Sequence, residues 1–207
     1  DPHTTTSIYA LIHYLERKWG VFFCMGGTGK IVSELKKLMI DSGVEIKTNT
    51  EVKEFIIEKN KISKIITNKG EIEGFDLVVC NADPPTVYSE LLKKNKLKRP
   101  FKKEKNLVYS MGLFVLFFGT KIKYENIAHH TIWMTERFKS LLNDIFKKKI
   151  LSEDFSLYIH RPTATDKSFA PEGCDSFYVL CPVPNLQGKI DWSKESKSLK
   201  DRIIKQL

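Results

Sequence analysis

The sequence predicts an α/β fold, and three observations predict it. Ile31, Val32, Leu35, Leu38 and Met39 recur at helical spacing across residues 30–42. Two β-rich runs, 52–58 and 62–67, flank Lys59-Asn60-Lys61, a hairpin turn composition. Residues 75–80 form an apolar run rich in valine, as a strand buried on both faces would.

The elements follow in chain order. Thr4, Thr5 and Thr6 offer N-caps for a first helix with Ile8, Leu11, Ile12 and Leu15 as its stripe. His13 on that helix reads as structural. Residues 19–23 read as a strand carrying Trp19, Phe22 and Phe23, which suit either core packing or the wall of an apolar cavity. Met25-Gly26-Gly27-Thr28-Gly29 is a tight turn into the helix over 30–42. Gly43 stands where a helix end favours a left-handed residue, and residues 44–46 resume as a strand. Asn68-Lys69-Gly70 is a second turn. After residues 75–80, Asn81-Ala82-Asp83 leads to Pro84 and Pro85, which suit a helix first turn that Asp83 can cap.

The second half continues in kind. Residues 107–119 are apolar, β-branched and aromatic, and too few to span a bilayer, so they read as a buried strand interrupted by Gly112. Residues 137–148 read as a helix, and 155–160 and 176–181 as strands, the second ended by Pro182 and Pro184. Glu153-Asp154 precedes a strand, where capping or solvation is expected. Leu199, Ile203 and Ile204 mark a last helix.

Bulk chemistry narrows the function classes. The 207 residues carry a net charge of +9. Nearly all the positive charge is lysine, with arginine only at Arg17, Arg99, Arg137, Arg161 and Arg202. A base-reading protein favours arginine, which grips guanine edges bidentately, so no nucleic-acid partner is expected. Lys93, Lys94, Lys96, Lys98, Arg99, Lys102, Lys103 and Lys105 cluster; they suit an exposed linker or contact with anionic headgroups. Cys24, Cys80, Cys174 and Cys181 form no Cys-x-x-Cys pair. Cys24 and Cys80 read as small buried hydrophobes, and the compartment as reducing.

Motif tests exclude several chemistries. Gly29-Lys30 is preceded by Cys24 where a phosphate-binding loop needs its first glycine, and is followed by Ile31. Gly27 and Gly29 are followed by Val32, not the third glycine of a dinucleotide fingerprint. No Gly-x-Ser-x-Gly elbow is present. His129 and His130 are adjacent; on a strand they point to opposite faces and cannot easily share one metal, so no metal site is expected.

Ser7-Ile8-Tyr9-Ala10-Leu11-Ile12-His13, Trp19-Gly20-Val21, Gly26-Gly27-Thr28-Gly29, Asn81-Ala82-Asp83, His129-His130-Thr131, Glu153-Asp154-Phe155-Ser156-Leu157-Tyr158, Ala170-Pro171-Glu172-Gly173-Cys174 and Pro182-Val183-Pro184 occur in this order. Together they resemble bacterial-type phytoene desaturase, the carotenoid-desaturating branch of the flavin-dependent amine-oxidase-like superfamily. The resemblance runs over essentially the whole chain. The family has more chain on both sides, including its flavin fingerprint, so the resemblance implies an internal fragment.

The resemblance implies a partial FAD-binding, Rossmann-like domain over residues 30–92. It interrupts a mixed-sheet substrate-binding domain at 1–29 and 93–207. It implies FAD-dependent desaturation of a long isoprenoid hydrocarbon, with Trp19, Phe22 and Phe23 on the substrate. It assigns Val52 a backbone contact at the adenine end, where ordinary strand packing is the alternative. Asn81, Ala82 and Asp83 are a second cofactor contact, or else only a turn and helix cap. A hydrocarbon substrate further implies a cytoplasmic enzyme held peripherally on a membrane surface. Related flavin oxidoreductases or isomerases, and a non-catalytic basic lipid-binding module, are the alternatives.

Overall fold

The computed structural model describes residues 5–92 and 107–207. These fall into two units, one of residues up to Leu35 and from Tyr109 onward, the other of residues between Lys36 and Val108. The α/β fold class stands, with helices and strands in each unit.

The first unit is built on a four-stranded antiparallel sheet. Its strands are β4 (Gly112–Thr120), β5 (His130–Trp133), β6 (Leu157–His160) and β7 (Asp175–Val183), in the order β4-β7-β6-β5. Burial along β7 alternates strictly, as period-two side chains on a one-sided core require. Phe177, Val179, Cys181 and Val183 of β7 join Leu157 and Ile159 of β6 in that core. Helix α5 (Trp192–Gln206) closes it with Leu199 and Ile203. The Asp191 carboxylate caps this helix by accepting the Ser193 N–H at 3.2 Å. Phe114 stacks on Trp192, with ring centroids 5.9 Å apart. Burial pushes the Cys181 thiol up to about 12.

Pro182 lies inside β7 rather than ending it, because β6 pairs only with Tyr178–Leu180 and leaves the proline a single neighbour, β4. Gly112 opens β4 rather than interrupting it. A Cβ there would stand 3.0 Å from the Pro184 carbonyl. The helix expected over 137–148 is α4 (Phe138–Asn143), continued by one wide turn, Asp144–Lys148. Asp154 is engaged rather than solvated: Arg137 Nη1 donates to it at 2.7 Å, and Thr135 Oγ1 donates as well.

The N-terminal part of this unit departs most from expectation. Helix α1 (Ala10–Trp19) follows a short turn, Ser7–Tyr9, and buries none of its stripe. The strand expected at 19–23 is absent: α1 runs through Trp19, and Gly20 at φ +82° ends it. Its N–H closes the last turn on the Glu16 carbonyl.

The second unit holds the meander β1 (Val52–Glu58), β2 (Lys61–Thr67) and β3 (Gly70–Ile72). Lys59 and Asn60 both take positive φ, the geometry of a tight hairpin turn. Helix α2 (Thr28–Asp41) carries the predicted periodicity and ends at Gly43, φ +79°. Neither 44–46 nor 75–80 forms a strand; Leu77 and Val79 are exposed at 79% and 86%, and Cys80 is exposed too. A strand exists only through a partner, and among the described residues neither run has one. Asp83 does not cap with its side chain; its carbonyl accepts the Val87 N–H at the start of α3 (Pro84–Thr86). The lysine cluster from Lys93 to Lys105 lies outside the described residues.

Candidate functional site

The two faces of the four-stranded sheet carry different chemistry. On the α5 face an apolar cavity of about 660 Å³ opens beside the core. Leu116 and Phe118 of β4, Trp133 of β5, Ile159 of β6, Phe177 of β7 and Ile204 of α5 line it. Strand pairing explains the convergence: Phe118 lies opposite Phe177, and Leu116 opposite Val179, so their side chains share a face. Lys200 is the single charged lining side chain among the described residues. The volume sits within the roughly 300–1,000 Å³ of small-molecule sites.

The opposite face is aromatic and imidazole-bearing. His130 pairs with His160 across β5 and β6, and His160 with Tyr178 across β6 and β7. His130 Nδ1 meets the Tyr158 hydroxyl at 2.6 Å. His129 Nε2 and His160 Nε2 are 2.9 Å apart, and His129 Nδ1 bonds Thr165 Oγ1. One ring nitrogen from each of His129, His130 and His160 lies within 4.8 Å of the others. The expectation that adjacent histidines diverge fails for a local reason. The strand begins at His130 and His129 sits on the bend before it, so alternation does not apply. Burial, with His130 and Arg161 nearby, holds His129 below its usual range. Burial and the other two rings do the same to His160.

The glycine turn docks beside this cluster. Gly26 and Gly27 take φ of +85° and +80°. The Gly26 N–H donates to the Asp166 carboxylate at 2.7 Å; the Ser168 hydroxyl, then this bond and the Ser168 N–H, lower the Asp166 pKa. A Cβ on Gly27 would stand 2.8 Å from the Phe169 ring. So anchored, the turn presents Phe23 edge-on to His129, at 4.6 Å between centroids, and to Phe169 at 5.9 Å.

The sequence-derived site residues scatter accordingly. Trp19 and Phe22 are exposed, at 62% and 87%, and neither lines the cavity. Phe23 is half-buried against histidines instead. Val52 opens β1, an edge strand, opposite Thr67. Asn81, Ala82 and Asp83 are exposed. Leu116, Phe118, Ile159 and Phe177 were visible as apolar strand positions and Ile204 as an apolar helix position, but only the sheet order and the seating of α5 bring them together.

Residues 1–147 match the family model described as flavin containing amine oxidoreductase. The chain is 44% identical to a lycopene-forming phytoene desaturase of Pseudescherichia vulneris, and 42% identical to one of Pantoea ananas; each match takes the whole chain and 42% of the relative. It is 40% identical to a neurosporene-forming phytoene desaturase of Rhodobacter capsulatus, over 99% of the chain and 40% of the relative. The chain thus spans about two fifths of the length of these relatives.

Proposed function

This chain belongs to the flavin-containing amine oxidoreductases, and from that premise we propose that it forms the substrate cavity and part of the cofactor site of an FAD-dependent carotenoid desaturase. The observation that carries the substrate class is the apolar cavity beside α5. A long isoprenoid hydrocarbon has no ionisable or hydrogen-bonding handle. A site for it must select by shape and apolar contact, which is what a cavity lined by Phe118, Trp133, Ile159 and Phe177 offers. The names of the relatives support phytoene as the substrate.

The flavin, when bound, supplies the hydride acceptor; the protein supplies orientation and shielding. The residues present fit only part of it. The glycine turn does not suit the pyrophosphate, because the Gly26 N–H is already held by the Asp166 carboxylate and Phe169 fills the space above Gly27. Val52, on an edge strand with one side of the backbone unpaired by β2, suits a backbone contact to adenine. Exposed Asn81, small Ala82 and Asp83 leave room for a close approach. On this reading the unit between Lys36 and Val108 faces the cofactor and the other unit the hydrocarbon.

A chimera tests the proposal: this chain replaces the matched segment of the Pseudescherichia vulneris relative in bacteria that accumulate phytoene. Coloured polyene and bound FAD are expected. Phe118→Glu and Ile204→Glu, which set a carboxylate in the apolar lining, should cut colour roughly tenfold or more while leaving FAD content unchanged. A chimera that retains FAD but makes no colour, or makes it regardless of both substitutions, sinks the proposal. Val52→Pro should lose FAD where Val52→Ile keeps it; equal retention would remove Val52 from the cofactor site.

A further inference from the structure

We propose that His129, His130 and His160 form a binding site for one borderline divalent cation of the zinc type, on the sheet face opposite the α5 core. Two independent placements produce it. Register sets His130 opposite His160, on the same face of neighbouring strands. The bend before β5 turns His129 onto that face, and the Phe23 ring, 4.6 Å away, packs against it. The donor nitrogens of all three then lie within 4.8 Å of one another.

The surrounding contacts select ligand atoms. Thr165 Oγ1 engages Nδ1 of His129, and the Tyr158 hydroxyl engages Nδ1 of His130. In both rings Nε2 is then the nitrogen a cation would take, on His129 in place of its contact with His160, and holding the far ring nitrogen is what outer partners of metal-bound histidines do. His129 Nε2 and His160 Nε2 are 2.9 Å apart. Two nitrogens on one tetrahedral zinc at about 2.05 Å stand roughly 3.3 Å apart, so a small shift accommodates the ion. The nearby Arg161 guanidinium is paired with Asp175 at 3.2 Å, which offsets its charge. Three imidazoles suit zinc, copper or nickel over calcium or magnesium. His130 is exposed, so the ion enters from solvent and a fourth position stays open.

Calorimetric titration of the full chain with zinc chloride at pH 7.5 tests this. One zinc per chain is expected, and cobalt should give the visible absorption of a tetrahedral nitrogen site. His130→Ala removes an exposed ligand and spares the packing; His160→Gln keeps a polar side chain in place. Each should weaken binding by roughly tenfold or more, whereas His13→Ala, on α1, should leave it unchanged. Affinity should fall on acidification to pH 5.5. Absence of stoichiometric binding, or affinity indifferent to His130→Ala and His160→Gln, overturns the proposal.

Discussion

At Gly27 a missing Cβ decides a long-range contact. The Phe169 ring occupies the space a side chain would take, and φ of +80° would strain any other residue. Gly27→Ala should therefore destabilise the chain by about 1–3 kcal/mol in urea denaturation. Gly29→Ala, two residues on within α2 and with nothing near its Cβ, should be neutral or stabilising. Equal effects at the two positions would refute the docking role of Gly27. The histidines make a second residue-scale prediction. His129 and His160 titrate below 6.5 in the folded chain, so the unfolded chain takes up their protons first. Their contribution to stability is complete above about pH 6.5 and is lost as pH falls through their folded values. Asp144, Asp154 and Asp175 are depressed too, and their contribution goes only below about 3.8. Thermal midpoints from pH 8 to 5 should fall on acidification, and the double variant His129→Gln, His160→Gln should flatten that fall. A midpoint that rises instead contradicts the burial of these rings.

Among the elements, α5 and the sheet it covers hold the first unit together. Leu199 and Ile203 are 2% and 0% exposed. Ile203→Ala should cost about 2–5 kcal/mol, read as a drop in the urea midpoint, because the rigid strands beneath cannot collapse into the void. A cost below about 1 kcal/mol would place the core elsewhere. Elements with local causes were legible in the sequence. Apolar spacing gave α2 and α5, Lys59 and Asn60 gave the β1–β2 hairpin, and β-rich composition gave β4, β6 and β7. Elements that depend on a distant partner were not. Residues 44–46 and 75–80 have strand composition, but composition does not name a neighbour, and both stay irregular among the described residues. The stripe of α1 is periodic yet exposed, because periodicity specifies a face and not what covers it. The same limit hid the site. The cavity draws on four strands and a helix, and the histidine cluster turns on whether β5 begins at residue 129 or 130.

For the whole molecule, charge and connectivity set the behaviour. The chain carries +9, and no helix among the described residues is long and apolar enough to cross a membrane. We propose that the cluster from Lys93 to Lys105 holds the protein on anionic lipid, where each lysine near the surface contributes roughly 1 kcal/mol. Co-sedimentation with phosphatidylserine vesicles should weaken as salt rises and be lost on charge reversal at Lys98, Arg99, Lys102 and Lys103. Binding indifferent to both would remove the cluster from that role. Connectivity has a temporal counterpart. The β1-β2-β3 meander joins sequence neighbours, whereas β4 finds its partner β7 only after the intervening residues 121–174 have been gathered in. Closing a loop of that length before any pairing energy is recovered slows folding. Amides of β1 and β2 should gain protection first in pulsed hydrogen exchange. Until β7 is seated, β4 presents Phe114, Val115, Leu116 and Phe117 on an unpaired edge. A nascent chain therefore carries a sticky strand through the slowest step of its assembly, and its yield at high concentration is set by that interval rather than by the stability of the finished sheet.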